Sequence, residues 1–391
     1  MKQVDFLVVG AGIAGLSAAA RLARHGTTQV VEAETAPGVH SSGRSAAFAH
    51  FDMDAWLVRA LTAASMPLLA EPGATPHPAL FIALEGQEAA LDRLEANYRE
   101  WEPRVERLAP AEARAFTPVL REGDGGISGA LLDRHARKLD AHAMLEAHRK
   151  ELLARGGKLA NGVPVERLAR AGERWTADTP GASYSARVVV NAAGAWADPV
   201  AALAGIAPLG ITPLRRTVIT FDTEHAVRDW PFTKTVGPGF YLEPEGNGRL
   251  LASPMDEGPS APCDAQPEEE DVALAAWNVE QATTLTIRQL ASKWAGLRNF
   301  APDRLPVAGF DRQAPGFFWL AGQGGFGLQT SPAMALRAVA RGAARGGRDP
   351  RDAGSGTPPN AAGIAARLGR SVDPQVHPRP VCAPVGRHAE G

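Results

Sequence analysis

Cysteine is almost missing from this chain: Cys263 and Cys382 are the only two in 391 residues. They lie far apart in proline-containing segments. That excludes a disulfide framework or a zinc ligand set and fits a reducing cytoplasm. Aromatic residues are sparse at 6%, and only three are tyrosine. Neither charge is in excess: the formal net charge is -2, which leaves no basic footprint for a nucleic acid partner. No uninterrupted apolar stretch is long enough to span a bilayer. The first apolar run has no basic segment before it and stops at glycines, so it reads as a buried strand and not as a secretory leader.

Apolar residues, at 45%, are numerous enough for a substantial core. The length suggests more than one domain, or one dinucleotide-binding domain with a second inserted into it. Phe6-Leu7-Val8-Val9 stops at Gly10, as a central parallel strand does. Ile13 to Arg24 favours helix, and Gln29-Val30-Val31 is a second strand ending at Glu32, which completes a βαβ unit. Helices are expected at 57–69, 88–101 and 140–153, the last capped by Asp140, and over much of 268–290. Short strands are expected around 163–168 and 175–177, and β alternation over 212–253. Two further apolar strands, at 188–190 and 317–320, each run into glycine. The expected fold is α/β. A Rossmann-like unit (1–80, 141–205, 300–345) is interleaved with a second domain on a mostly antiparallel sheet with helices (81–140, 206–299), and a poorly ordered tail follows (346–391).

Gly10-Ala11-Gly12-Ile13-Ala14-Gly15 is a complete G-x-G-x-x-G between strand and helix. The first glycine permits the turn, the second lets backbone approach a pyrophosphate, and the third lets helix and strand pack closely. Glu32 can accept from both ribose hydroxyls, which disfavours NADP but does not separate NAD from FAD.

The rest of the chain separates them by resemblance. The start through Gly15, Gly43-Arg44-Ser45-Ala46-Ala47, Asn191 to Asp198, Trp294 to Arg298 and Gln323 to Thr330 resemble the D-amino-acid oxidase superfamily. Their order and spacing are those of the bacterial D-arginine dehydrogenases, and the resemblance runs from residue 1 to about 340. It implies non-covalent FAD. Ala14, Glu32 and Ala33 would lie at the adenosine end, with backbone of Pro164 or Val165 toward the adenine. Ser41, Ser42, Gly43, Arg44, Ser45, Ala46, Ala47 and Phe48 would follow the pyrophosphate and flavin. Ala193 and Gly194 would close the crevice, and Gly324, Gly325, Gly327, Leu328, Gln329 and Thr330 would face the isoalloxazine. A helix N-terminus at that turn would aim donors at the flavin.

The resemblance also assigns a substrate site. Arg298 matches the carboxylate-binding arginine, whose planar fork suits a carboxylate. Arg215 is the better match for a second arginine, but Arg215 and Arg216 alternate on a strand, so only one can point inward. Tyr241 matches a carboxylate-binding tyrosine, and the Gly325 carbonyl would meet the amine. His50 is the nearest candidate for catalytic proton transfer, though a flavin that accepts hydride needs no strong base. No metal is implied. Phe48, Met53 and Leu80 stand where the D-arginine enzymes carry polar groups, which leaves a cationic side chain without a counter-charge. The expected reaction is therefore oxidation of a neutral or apolar D-amino acid, with oxygen or a quinone-like acceptor taking the electrons. A sarcosine, glycine or proline-type amine oxidase, a nicotinamide enzyme and a non-catalytic flavin protein remain as alternatives.

Overall fold

The computed structural model describes residues 1–346 apart from 72 and 124, so nearly all of the expected tail lies outside the described residues. The first strand, Lys2–Val9, pairs in parallel with Thr28–Val31 on one side and Ala182–Asn191 on the other. Lys158–Ala160 and Phe317–Ala321 extend the parallel set outward. Antiparallel strands Arg167–Ala171, Arg174–Thr179 and Val307–Phe310 complete this eight-stranded sheet.

Both faces of the sheet are covered, which is why its central strands are continuous apolar runs. Phe6 and Val8 point to the helices Ile13–Leu22, Ala141–Ala154 and Gly327–Gly346. Leu7 and Val9 point the other way, to Trp175, Phe317, Trp319 and the short helix Ala197–Ala202. Asp140 caps its helix by accepting from the Ala143 N–H at 2.9 Å.

The second sheet has nine strands, in the order 258–259, 212–222, 249–253, 241–244, 232–235, 79–84, 127–133 and 106–108, with 290–300 paired to the other edge of 212–222. All its pairs are antiparallel except that between 79–84 and 232–235. One face carries Leu80, Ile82, Ile219 and Leu250, covered by the helix Glu269–Ala282. The opposite face carries Phe81, Val218, Phe232 and Tyr241. Three short strands, Phe48–Ala49, Ala74–Pro76 and Arg137–Leu139, form a small third sheet beside that face.

Helix covers Glu269–Ala282, much of the expected span, and stops where Thr283 turns extended and its hydroxyl bonds back to the Val279 carbonyl at 2.7 Å. The chain then becomes the strand Leu290–Phe300, whose backbone is satisfied along 212–222. One expectation needs correction: residues 163–166 are not strand. Pro164 has no N–H to offer a ladder, and the neighbouring Gly162 and Val163 N–H groups donate to the carbonyls of Glu34 and Glu32, each at 2.7 Å.

Candidate cofactor and substrate cleft

A cleft of about 1620 Å³ runs from the C-terminal ends of the parallel strands to the Tyr241 face of the second sheet. At its first end Gly10 has a φ of +101°, and a Cβ there would come within 2.6 Å of the Ala192 carbonyl oxygen. A Cβ on Gly15 would come within 1.9 Å of the Gly10 oxygen, so Gly15 serves packing and does not line the cleft. Gly12, Ala14, Glu32, Ala33 and Pro164 do line it. Glu32 Oε2 accepts from the Ala11 N–H at 2.6 Å and Oε1 from the Glu34 N–H at 2.9 Å, which fixes the carboxylate at the end of its strand.

The next segment crosses between the sheets. Ser42 Oγ accepts from the Ile13 N–H at 3.0 Å, at the start of the helix. Ser41 donates to the Leu297 carbonyl at 2.6 Å. Arg44 lines the cleft, but its guanidinium donates to the Ala265 and Ala295 carbonyls and pairs with Asp264, so it fastens this loop to the second sheet. Ser45, Ala46, Ala47 and Phe48 follow along the wall, and Ala47 holds a left-handed φ of 58°. Gly43 is off the lining: its N–H donates to the Gly38 carbonyl.

Ala193, Gly194, Gly324, Gly325, Gly327 and Leu328 line the opposite wall, where the helix Gly327–Gly346 begins. Gln329 and Thr330, expected here, turn away. Gln329 Nε2 donates to Thr62 Oγ1 at 2.7 Å and to the His50 carbonyl, and the Thr330 hydroxyl donates to the Phe326 carbonyl. Two buried polar atoms on this wall have no hydrogen-bond partner among the described residues, Asn299 Oδ1 and Gln323 Nε2. Asn299 Nδ2 faces Ser41 Oγ and the Leu297 carbonyl, so a flipped amide would set oxygen against oxygen and the orphan acceptor is real. An extended cleft with a glycine cradle, a fixed acid and orphan polar atoms along its wall fits a dinucleotide.

The far end collects the charged groups. Arg298 is half-buried, over the rings of Phe300 and Phe326, with Gly325 against its guanidinium. Burial, then the nearby Arg216, pushes its pKa down to about 9. Its Nη1 donates to Glu257 at 2.8 Å, and Arg304 grips the same carboxylate at 2.9 Å. Tyr241 is buried beside Phe232, and burial raises its hydroxyl pKa.

Arg215 is not part of this site. It faces the other side of its strand, where it pairs with Glu268 at 2.7 Å and Asp271 at 3.4 Å. Strand alternation instead brings Arg216 into the cleft, with Nε donating to the Asp256 carbonyl at 2.9 Å. Leu80 is likewise misplaced: it is fully buried in the core under the helix Glu269–Ala282, and Phe81 takes the cleft-side face of that strand.

Phe48, Met53 and His50 form the apolar wall. Phe48 and His50 both stack on Phe232, at 4.6 Å and 5.7 Å between ring centres. Burial lowers the His50 pKa to about 4, and Nδ1 accepts from the Asp52 N–H at 3.1 Å. The ring is neutral and Nε2 carries its proton, so His50 offers the cleft a donor and not a base. Unforeseen in the sequence, Lys234 and Asp52 also line this end as an ion pair at 2.6 Å.

The sequence model of the family described as "FAD dependent oxidoreductase" (DAO) matches residues 5–341. A curated relative is hydrogen cyanide synthase subunit HcnC of Pseudomonas aeruginosa, 26% identical over 231 residues. That match covers 58% of this chain and 53% of the relative, so it spans about half of that protein's length. Among solved structures, glycine oxidase from Geobacillus kaustophilus superposes with a TM-score of 0.76 at 23% identity, covering 88% of this chain and 95% of the other. L-proline dehydrogenase from P. horikoshii gives 0.75 at 19%, covering 87% and 93%. L-alpha-glycerophosphate oxidase from Mycoplasma pneumoniae gives 0.77 at 17%, covering 87% and 94%. These likenesses establish a shared fold. No helix among the described residues is long and apolar enough to cross a membrane.

Proposed function

The chain belongs to the DAO family of FAD-dependent oxidoreductases, and we propose that its cleft oxidises the Cα–N bond of a small amino or imino acid, preferably a D-amino acid with a neutral side chain. The observation that carries this reading is the convergence of Arg298, Arg216 and Tyr241 on one end of the cleft, beside Gly325.

Bound FAD supplies the hydride acceptor for the reaction. The protein's part is binding, orientation and exclusion of water. The Arg298 and Arg216 guanidiniums hold the substrate carboxylate, with the Tyr241 hydroxyl as a further donor. Gly325 presents backbone, with no side chain between the guanidinium and the cleft. Phe48, Met53 and Phe232 close the apolar side, which supports a side chain without charge. His50, neutral and already accepting from backbone, orients this wall, and the substrate ammonium gives up its proton to water.

A secondary-amine substrate is the second reading. Two of the structures sharing this fold are a glycine oxidase and an L-proline dehydrogenase. The deciding experiment is an anaerobic flavin-bleaching screen of the holoenzyme against both amino-acid enantiomers, sarcosine, glycine and proline. Rapid bleaching by a neutral D-amino acid is the expected result. D-arginine as the best substrate contradicts the side-chain assignment, and bleaching by no amine or amino acid overturns the reaction itself. Admitting air to the reduced enzyme then tells oxygen from a quinone-like acceptor.

A further inference from the structure

The Lys234–Asp52 pair has no part in fixing a substrate carboxylate, yet it stands next to the groups that do. Lys234 lies on the strand Phe232–Thr235 directly opposite Tyr241 in the antiparallel register. Opposed residues share one face of the sheet, with Cβ atoms ~5 Å apart. Phe232, Lys234 and Tyr241 therefore form one cleft-facing patch. Asp52 comes from the other side, two residues past His50 on the segment that follows the Phe48 wall. The pair thus spans the cleft between the cofactor loop and the second sheet, and it is 21% and 15% exposed.

Its hydrogen-bonding capacity is not used up. An ammonium has three donors. Lys234 Nζ gives one to Asp52 Oδ2 at 2.6 Å and one to the Thr235 carbonyl at 3.3 Å, which leaves one free. Asp52 keeps its second oxygen, Oδ1, without a hydrogen bond among the described residues. The remaining edge of the ion pair is one donor beside one acceptor, with no net charge. Around it lie the apolar side chains of Phe48, Met53 and Phe232, and the other polar groups facing this patch are the His50 Nε2–H donor and the Tyr241 hydroxyl. A carboxylate placed there would meet Asp52 as well as Lys234, and an ammonium would meet Lys234 as well as Asp52. A primary carboxamide instead matches both atoms, its oxygen on Lys234 and its NH₂ on Asp52 Oδ1.

We propose that the Lys234–Asp52 pair is the side-chain subsite of this enzyme and that it selects an amino acid ending in a carboxamide, of the asparagine or glutamine class. This rests on the amino-acid-oxidising reading above and narrows it from neutral side chains to one kind. A site that hydrogen-bonds a buried polar group rejects the apolar isostere, because the protein's own groups are then left unpaired.

The test compares kcat/KM of the FAD-loaded enzyme for asparagine and glutamine with three references: the near-isosteric leucine and methionine, the acids aspartate and glutamate, and alanine. Each is run as the active enantiomer, on wild type, Lys234→Met and Asp52→Asn. In the wild type, an amide preferred at least about tenfold over both its apolar and its acidic counterpart is expected. That preference shrinks toward parity in Lys234→Met. Asp52→Asn removes the counter-charge and shifts preference toward the acid. Perturbation of the flavin absorbance band on ligand addition gives binding independently of turnover. Leucine or methionine equalling the amides, or an amide preference that survives Lys234→Met, overturns the subsite while alanine oxidation leaves the reaction standing. Oxidation of none of them, alanine included, overturns both.

Discussion

Gly325 and Arg298 pack so closely that a side chain at 325 has no room: a Cβ would come within 2.1 Å of the arginine Nε and 2.3 Å of Nη2. The glycine is required by this approach and not by its backbone angle. Gly325→Ala must therefore push the guanidinium aside. Displacing a substrate-orienting group by about 1 Å costs about a hundredfold in rate, and a fall in kcat/KM of that order is expected with FAD still bound. Steady-state kinetics alongside the flavin spectrum checks this. A variant with full activity would mean that Arg298 does not orient the substrate.

The neighbouring arginines 215 and 216 provide an internal control. Arg216 lines the cleft, whereas Arg215 fastens the helix Glu269–Ala282 to the back of the sheet through Glu268 and Asp271. Arg216→Met should lower kcat/KM by about tenfold to a hundredfold, the worth of a charge-assisted hydrogen bond. Arg215→Met should leave it within about twofold but lower the melting temperature by a few degrees. Measuring both quantities on both variants decides the matter, and the reverse pattern would move the substrate site to the other face.

At the opposite end, Glu32 is held by the N–H groups of Ala11 and Glu34. Its carboxylate is thereby set at the strand end where a ribose would sit. Glu32→Ala should weaken FAD binding by about tenfold or more, read from flavin fluorescence released on dilution. Unchanged affinity would reduce Glu32 to a tether for its own loop.

The sequence carries the architecture more legibly than the substrate site. The opening βαβ unit is written in local terms: an apolar run, three spaced glycines and an acid, each with one physical job. The end of helix 269–282 is unmarked in the sequence because Thr283 to Ile287 has no glycine or proline, and only pairing with 212–222 decides the later strand. The substrate errors are errors of parity. A shift of one residue on a strand exchanges the faces, which is how Arg215 displaces Arg216, and the same alternation puts Leu80 on the core face of its strand. Lys234 has a readable signal, the alternation Phe232, Lys234, Val236, all three of which line the cleft. What the chain alone cannot give is the partner, since Asp52 is 182 residues away.

Glu243 makes the last prediction, one of stability against pH. It lies two residues beyond Tyr241 on the same strand, buried, with Oε2 lacking a hydrogen bond among the described residues and Oε1 2.9 Å from Lys138. Burial outweighs the lysine and raises its pKa from 4.5 to about 7. The folded state therefore holds the proton more tightly than the unfolded state does. The associated stability is full below pH 4.5 and is lost as pH rises through about 7. A shift of that size corresponds to about 3 kcal/mol at most. Glutamine cannot ionise, so the Glu243→Gln melting temperature should fall less steeply than wild type between pH 5 and pH 8, as followed by thermal unfolding. Lys138 keeps its bond to the Pro244 carbonyl at 2.8 Å and is partly exposed, so the substitution does not strand a buried cation. Parallel curves for the two proteins would mean that Glu243 stays ionised throughout, with Lys138 holding it so.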